Sequence, residues 1–551
     1  MIKEDKKSSN KGDHERETTK RFKDSLGEEL QVDRTLLCYK AFYFLFFAGF
    51  GASFPYMALY FKQIGLSASS VGILAGIRPI IQFVSGPFWA ILADRFKARK
   101  AVLLFSIFSW LIMTLALLIP TTHKTQCKAI KENTTEVDLS VSRRQQLIQF
   151  GAQREYSKST SHMRGNFDTD KNTKRVNRPS GAKLLFHISP FQTYFLPSSH
   201  EEPDFEVGHP NPKIYDLVYD QTEVYQVFIY LLILVVIGEF LEAPTFIMTD
   251  AALLQKLGDE RRHYGKTRLF GSLGFAFASL TVGGLLDSTE YRYCGRVMND
   301  YRLLFYSFGI IMALVFLFAA WMFEFTYDEA ENKELGEHTG TTKEILTLLL
   351  KFQYAFFITI SFFLGLSNGL FFNFLNWYLE DLGASKLLMG IATIFRAIAL
   401  IIAYIFNALL SKLFGHVRLM LFSVLGYFVL FGSFSIIHNP WWALLLEFLE
   451  GITYGTAWST AVTHLADATP QGGAATMQGI LQGIYWGLGG GLGAIFGGIL
   501  MDEYGAVPSF RSGAVISATV LIVSGCIQAC ISQTKEEEKL KAFCGKRNEI
   551  H

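Results

Sequence analysis

Twelve apolar runs of about twenty residues each dominate this chain, and a helix needs roughly that length to bridge a hydrocarbon core about 30 Å thick. They centre near Phe46, Ile80, Trp110, Val236, Phe277, Ala313, Leu364, Leu400, Phe428, Gly451, Gly487 and Val520. In lipid every backbone N–H and C=O must be bonded internally, so runs of this length specify helices. Half of the 551 residues are apolar and 50 are Phe, a composition too apolar for a soluble chain of this size. The expectation is an all-α integral membrane protein with twelve transmembrane helices.

Polar stretches divide the runs into two sets of six. They define a cytoplasmic N-terminal tail (1–35), a first six-helix bundle (36–325) with a long loop at 121–222, and a linker (326–345). A second six-helix bundle (346–531) and a C-terminal tail (532–551) follow. Basic residues crowd the short loops after even-numbered spans, as in DRFKARK (94–100) and DERRHYGKTR (259–268). The positive-inside rule then places those loops, the linker and both termini in the cytoplasm, and loop 121–222 outside, with plasma membrane and endomembrane both open. The N-terminus lacks the short apolar core of a cleavable signal, so the first span is expected to direct insertion. Loop 121–222 is polar and aperiodic, which reads as partial disorder, and its sequon Asn133-Thr134-Thr135 makes Asn133 a glycosylation acceptor.

Net charge is +2 and no basic block alternates with aromatics, so nucleic acid is not an expected partner. Six cysteines lie without a CxxC pair, and histidines without metal-ligand spacing, so neither a metal site nor a cofactor is expected. Cys127 and Cys294 both fall in loops on the outer side; a disulfide between them and two separate thiols both stay open.

The chain repeats itself. YFKQIGLSASSVGILAGIR (60–78) aligns without a gap to YLEDLGASKLLMGIATIFR (378–396), at the junctions of spans 1 to 2 and 7 to 8. GGLLD (283–287) matches GGILMD (497–502) more weakly at the ends of spans 5 and 11. The string EFLE occurs at 239–242 and again at 447–450, in spans 4 and 10, which this repeat makes equivalent. Two parallel six-helix units follow.

Charges inside spans are costly and usually functional. Here they are Arg78, Glu239, Glu242, Asp250, Arg268, Arg396, Glu447 and Glu450. Residues three apart share a helix face, so each ExxE presents two carboxylates to one side. Like charges this close resist simultaneous ionisation, which suits a site that takes up and releases a proton. For Arg78 and Arg396, an ion pair that holds helices together and a functional role both stay open. Span 11 carries Gly479, Gly483, Gly487 and Gly491 at intervals of four, which lets helix backbones approach closely. Its GLGGGLGA has no preceding strand and is not a dinucleotide loop.

A chain of twelve spans in two parallel six-span repeats resembles the major facilitator superfamily. The family's loop 2-3 signature is approximated around Asp94, Arg95 and Arg99, with Ala90 and Lys97 where glycines are usual. By resemblance this loop has a gating role. RLFGSLGF (268–275) resembles a string of the lactose permease group of sugar/proton symporters, in which an acid eighteen positions earlier partners the arginine in gripping substrate. The resemblance therefore implies Asp250, Arg268, Ser272 and Phe275 as substrate-binding. Here Asp replaces Glu, Ser272 a Cys and Phe275 a Trp, while Glu450 stands where that group has a proton-handling His and Thr453 where it has a key Glu. GIRPIIQFVSGPFWAILADRFK, GKTRLFGSLGF and LEGITYGTAWSTAVTHLADATP look most like the animal group called major facilitator superfamily domain-containing protein six and six-like.

The expected function is a secondary transporter of a small solute, coupled to protons through Glu239, Glu242, Glu447 and Glu450, rocking its bundles by alternating access. The alternative is a membrane receptor whose loop 121–222 binds an extracellular protein, with the bundles as scaffold. An enzyme is not expected, since no HExxH, GxSxG or similar motif is present.

Overall fold

The computed structural model describes residues 34–123, 125–129, 215–257, 263–294, 296–323, 344–469 and 473–548. Helices α1 (Arg34–Gln63), α2 (Ala68–Arg95) and α3 (Arg99–Ala116) come first. Helix α4 runs as Gln221–Glu242 and Pro244–Leu257, broken at Pro244, which has no N–H to continue the ladder. Helices α5 (His263–Asp287) and α6 (Arg302–Met322) complete the first half. The second half holds α7 (Phe352–Asp381), α8 (Lys386–Phe414), α9 (His416–Phe434) and α10 (Ala443–Ala468). Helix α11 joins Ala474–Gln482, a π-helical stretch Gly483–Gly490 and Gly491–Tyr504; α12 spans Ala506–Asn548.

All twelve expected spans are helical. Among the described residues, eleven helices are long and apolar enough to cross a membrane. The remaining one, α10, has the length at 26 residues but carries Glu447, Glu450, His464 and Asp467. Two features depart from expectation. The tail expected at 532–551 continues α12 as helix to Asn548, because its KEEEKLKAF is rich in helix formers with Glu–Lys neighbours three and four apart. Short strands also occur: β1 (Thr125–Ala129) pairs with β2 (Tyr215–Tyr219), and β3 (Tyr291–Tyr293) with β4 (Arg296–Met298).

The chain forms two compact units. The first comprises Met1–Thr125, Tyr219–Tyr293 and Val297–His551 and contains every helix among the described residues; the second comprises Gln126–Val218 and Cys294–Arg296. Within the second, Cys127 and Cys294 are joined as a disulfide with Cα atoms 5.5 Å apart. Asn133 and most of loop 121–222 lie outside the described residues.

Helix packing in the first unit follows the repeat. Helix α1 lies on α5 and α6, and α7 on α11; α2 packs on α4 and α8 on α10. Across the halves, α2 packs on α11 and α5 on α8, again an equivalent pair of contacts. Local structure repeats too. The α1–α2 and α7–α8 junctions both turn through a left-handed glycine, Gly65 at φ 94° and Gly383 at φ 81°. Each is followed by a serine, Ser67 or Ser385, whose Oγ caps the next helix. The α11 glycines serve close approach: a methyl at Gly493 would overlap the Leu366 carbonyl of α7, and one at Gly491 would lie 2.6 Å from the Gly76 carbonyl of α2.

Candidate transport site

Two charge clusters occupy equivalent places. In the first half, Arg78 of α2 donates through Nε to Glu239 of α4 and lies 3.5 Å from Glu242 through a terminal nitrogen. Gln82, one turn along α2, adds a second donor to Glu239 at 2.8 Å. In the second half, Arg396 of α8 reaches Glu447 of α10 at 3.5 Å and Glu450 at 4.0 Å. Among the described residues no amide donates to that cluster, and the residue repeat-equivalent to Gln82 is Leu400. Gly451, directly after the second EFLE, lets α10 lie against α8 at Arg396: a side chain there would overlap the Arg396 carbonyl.

The carboxylates are almost wholly buried, and in each cluster two acids face one guanidinium. Among the described residues, Glu242 Oε1, Glu447 Oε2 and Glu450 Oε2 have no hydrogen-bond partner. Burying a carboxylate that is neither fully paired nor hydrogen-bonded costs several kcal/mol. Both acids of the second cluster are in that position.

A stack of rings joins the clusters. Arg78 Cζ lies 5.7 Å from the centre of the Phe54 ring, and Arg396 Cζ 5.0 Å from that of Phe372. The Phe54 and Phe372 rings stack on each other, centres 5.1 Å apart and planes at 28°. Phe54 and Phe372 are separated by the same 318 residues as Arg78 and Arg396, so the contact straddles the axis of the repeat.

The residues implied by the lactose permease resemblance form a separate layer. Arg268 of α5 lies 3.1 Å from Asp250 of α4, and the Tyr43 hydroxyl of α1 donates to the same carboxylate at 2.5 Å. Asp250 is eight residues beyond Glu242, about 12 Å along the helix. Phe275 packs its ring 5.8 Å from Phe50, and half-buried Ser272 makes no side-chain hydrogen bond among the described residues. In the loop after α2, Arg99 donates to Asp94 at 2.6 Å while Arg95 is exposed and not drawn to Asp94.

The model of the MFS_1 like family matches residues 36–512. This chain belongs to that family. Major facilitator superfamily domain-containing protein 6-like protein A of Xenopus laevis is 23% identical, over 92% of this chain and 93% of the relative. The maltose permease of Geobacillus stearothermophilus is 24% identical over 59% of this chain and 77% of its own length. Among solved structures, the nucleoside transporter NupG superposes with a TM-score of 0.57 at 14% identity, covering 90% of this chain and 99% of that one. The chain is a multi-pass membrane protein of the major facilitator fold, in a family of transporters.

In this MFS_1 like protein the halves are also tied at the end where α1 meets α2. Lys62 of α1 pairs with Glu380 at 2.9 Å and Asp381 at 2.6 Å on α7, and Lys386 with Glu380 at 2.8 Å. Asp287, ending α5, accepts the backbone N–H groups of Lys386 at 2.7 Å and Leu387 at 2.8 Å at the start of α8. Lys62 and Glu380 are themselves repeat-equivalent. Sequence reasoning missed these residues, together with Tyr43, Gln82, Phe54 and Phe372. The ungapped 318-residue alignment pairs Lys62 with Glu380, and continuing it in both directions pairs Phe54 with Phe372 and Gln82 with Leu400.

Proposed function

We propose that this chain is a proton-coupled secondary transporter of a small solute, and that the Arg396–Glu447–Glu450 cluster is its coupling site. One observation carries the reading: two buried carboxylates share one loosely held guanidinium, and each keeps an oxygen without a partner. One negative charge is left over in a region where water cannot offset it. A proton neutralises it without any further group. Glu239 and Glu242 belong to the same system as the more tightly held partner site. Asp250 and Arg268, with Ser272 and Phe275 near them, form a second polar layer that a solute would pass. Alternating access then requires the Lys62–Glu380 and Asp287–α8 bonds to break as the halves rock.

The basic loops assign both termini and the 326–345 linker to the cytoplasm, and the loop holding Asp94, Arg95 and Arg99 to the cytoplasmic gate. The receptor reading rests on loop 121–222, which lies mostly outside the described residues, and no observation favours it.

The test is uptake of a metabolite mixture into proteoliposomes under an imposed pH gradient, read by mass spectrometry. Wild type should concentrate a compound only with the gradient. Glu450→Gln should remove the dependence on the gradient while the protein stays folded; gradient-driven accumulation that survives this substitution would rule out the assignment.

A further inference from the structure

Arg396 is a half-buried cation whose donors make no hydrogen bond among the described residues. A guanidinium offers five N–H groups in a planar fork. Arg78 spends its Nε on Glu239, but Arg396 makes only the two long contacts to Glu447 and Glu450 and no hydrogen bond among the described residues. The Arg396 side chain keeps 15% of its exposure against 3% for each glutamate, so the carboxylates lie behind and the guanidinium in front. What it fronts is the space between the halves, because Phe372 beside it stacks on Phe54 of the other half. Phe54 stacks in turn on Phe50 with centres 4.6 Å apart, and all three rings are half-buried. A charged fork therefore adjoins a short run of accessible aromatic faces.

Building on the transporter reading above, we propose that Arg396 anchors a small organic carboxylate with a flat apolar body. The carboxylate takes the fork in two parallel bonds, and the body lies on the Phe372, Phe54 and Phe50 rings. The two relatives named above for maltose and for nucleosides carry, by their names, uncharged solutes; a forward-facing guanidinium with open donors is matched better by an anion, and it repels a cation. Arg78 is a poorer anchor because its bond to Glu239 would have to break. Arg268 already has Asp250 at 3.1 Å.

The charge balance connects anchor and coupling. In the empty site one glutamate already holds a proton; when the incoming carboxylate takes the fork, the other loses its share of the positive charge and takes up a further proton from the side of entry. One anion and one proton then cross together. Among the described residues, the other groups that interact electrostatically with Glu450 are Tyr404 on α8, Tyr427 on α9, Tyr454 on α10 and Tyr485 on α11, and Arg268 on α5 interacts with Tyr404 and Tyr454. None of these is a carboxylate, so the exchange stays with Glu447 and Glu450.

The experiment is equilibrium binding of radiolabelled benzoate to the purified full-length chain in detergent, with lactate, uridine and maltose as comparison ligands. Benzoate should bind saturably. Arg396→Lys should weaken it roughly tenfold or more, since an ammonium lacks the fork, and Arg396→Gln should abolish it. Phe372→Leu should weaken benzoate but leave lactate, which has no ring, unaffected. Phe372→Leu also tests the site should Arg396→Gln fail to fold. Benzoate binding unchanged in Arg396→Gln overturns the proposal, as does saturable uridine or maltose binding with none for benzoate or lactate. Benzoate held at Arg396 with no gradient-driven uptake would instead refute the transport reading alone. Gradient-driven uptake of a neutral solute insensitive to Arg396→Lys would refute only the anion anchor.

Discussion

The first-half cluster and the second-half cluster share an ancestry of sequence, EFLE against EFLE and arginine against arginine, yet they hold their charges differently. In the first half a guanidinium nitrogen and an amide both grip Glu239, and α4 breaks at Pro244 immediately afterwards. In the second half the amide is Leu400, the ion pairs lengthen to 3.5 and 4.0 Å, and α10 runs on without a break. The surroundings diverge too. Phe246, after the first EFLE, packs in an aromatic cluster with Phe46 and Trp110. Its counterpart Tyr454 sits by Tyr485, in a buried polar group with Tyr427 and Asn368. A repeat doubles a motif once; afterwards one copy can be fixed as structure while the other stays loose enough to exchange partners.

The largest effect that tests this difference is removal of either arginine. Arg78→Ala strands two buried carboxylates, one of them hydrogen-bonded to the arginine, and breaking a buried pair typically costs about 3–5 kcal/mol. We expect that variant to lose monodisperse folded protein in size-exclusion chromatography. Arg396→Ala removes weaker contacts and should lower Tm by clearly less. Equal losses would mean that the two clusters do the same structural work.

Exchanging the Gln82 and Leu400 pair, one of the differences between the clusters, should have an intermediate effect. Gln82→Leu deletes a hydrogen bond to a charged acceptor, about 1.5–3 kcal/mol, and should loosen the first cluster toward the second. Leu400→Gln supplies the missing donor. A donor favours the ionised carboxylate, so proton uptake there needs more acid, and the midpoint of gradient-driven uptake should move to lower pH. A midpoint that moves upward would break the comparison.

Most of this was legible in the sequence, and the reasons are specific. Apolar runs locate spans because lipid leaves no alternative to helix, and the 60–78 and 378–396 match locates the axis of the repeat. The same alignment pairs Phe54 with Phe372, Lys62 with Glu380 and Gln82 with Leu400. What stayed hidden depends on ångströms rather than on residue type. The tightness of Arg78 against that of Arg396 is one such case, and the choice between a disulfide and two thiols at Cys127 and Cys294 is another. The two small sheets escaped notice because three to five residues carry too little periodicity to be read. Tyr43 was missed because one hydroxyl among many aromatics gives no signal until α1 is seen against α4.

A smaller effect comes from the tie at the α1–α2 end. Asp287 meets the positive end of the α8 dipole through two N–H groups, an interaction worth up to about 2 kcal/mol. Asp287→Asn should raise the population in which this end separates. A cysteine placed at the fully buried Ser279, which lies beneath Tyr56 and Gly390, should then react faster with a thiol reagent than in the Asp287 background. An unchanged rate would show that the halves are held elsewhere.

The smallest effect isolates a backbone angle. Lys97 stands at φ 50° in the turn after α2, where Ala98 donates to the Ala93 carbonyl and Lys97 to that of Asp94. Gly65 and Gly383 end α1 and α7 in the same way, with glycine in the left-handed position. A side chain there costs about 1–2 kcal/mol, partly offset by the greater freedom glycine loses on folding. Lys97→Gly should therefore raise Tm slightly. Lys97→Ala removes the same charge but keeps a Cβ and should not raise it, so the difference between the two variants separates conformation from electrostatics. Gly383→Ala is the mirror experiment, since a methyl there would meet nothing within 4 Å and only the angle of 81° opposes it. A loss of about 1 kcal/mol at Gly383 with a gain at Lys97 would show that the loop after α2 retains a turn built for glycine.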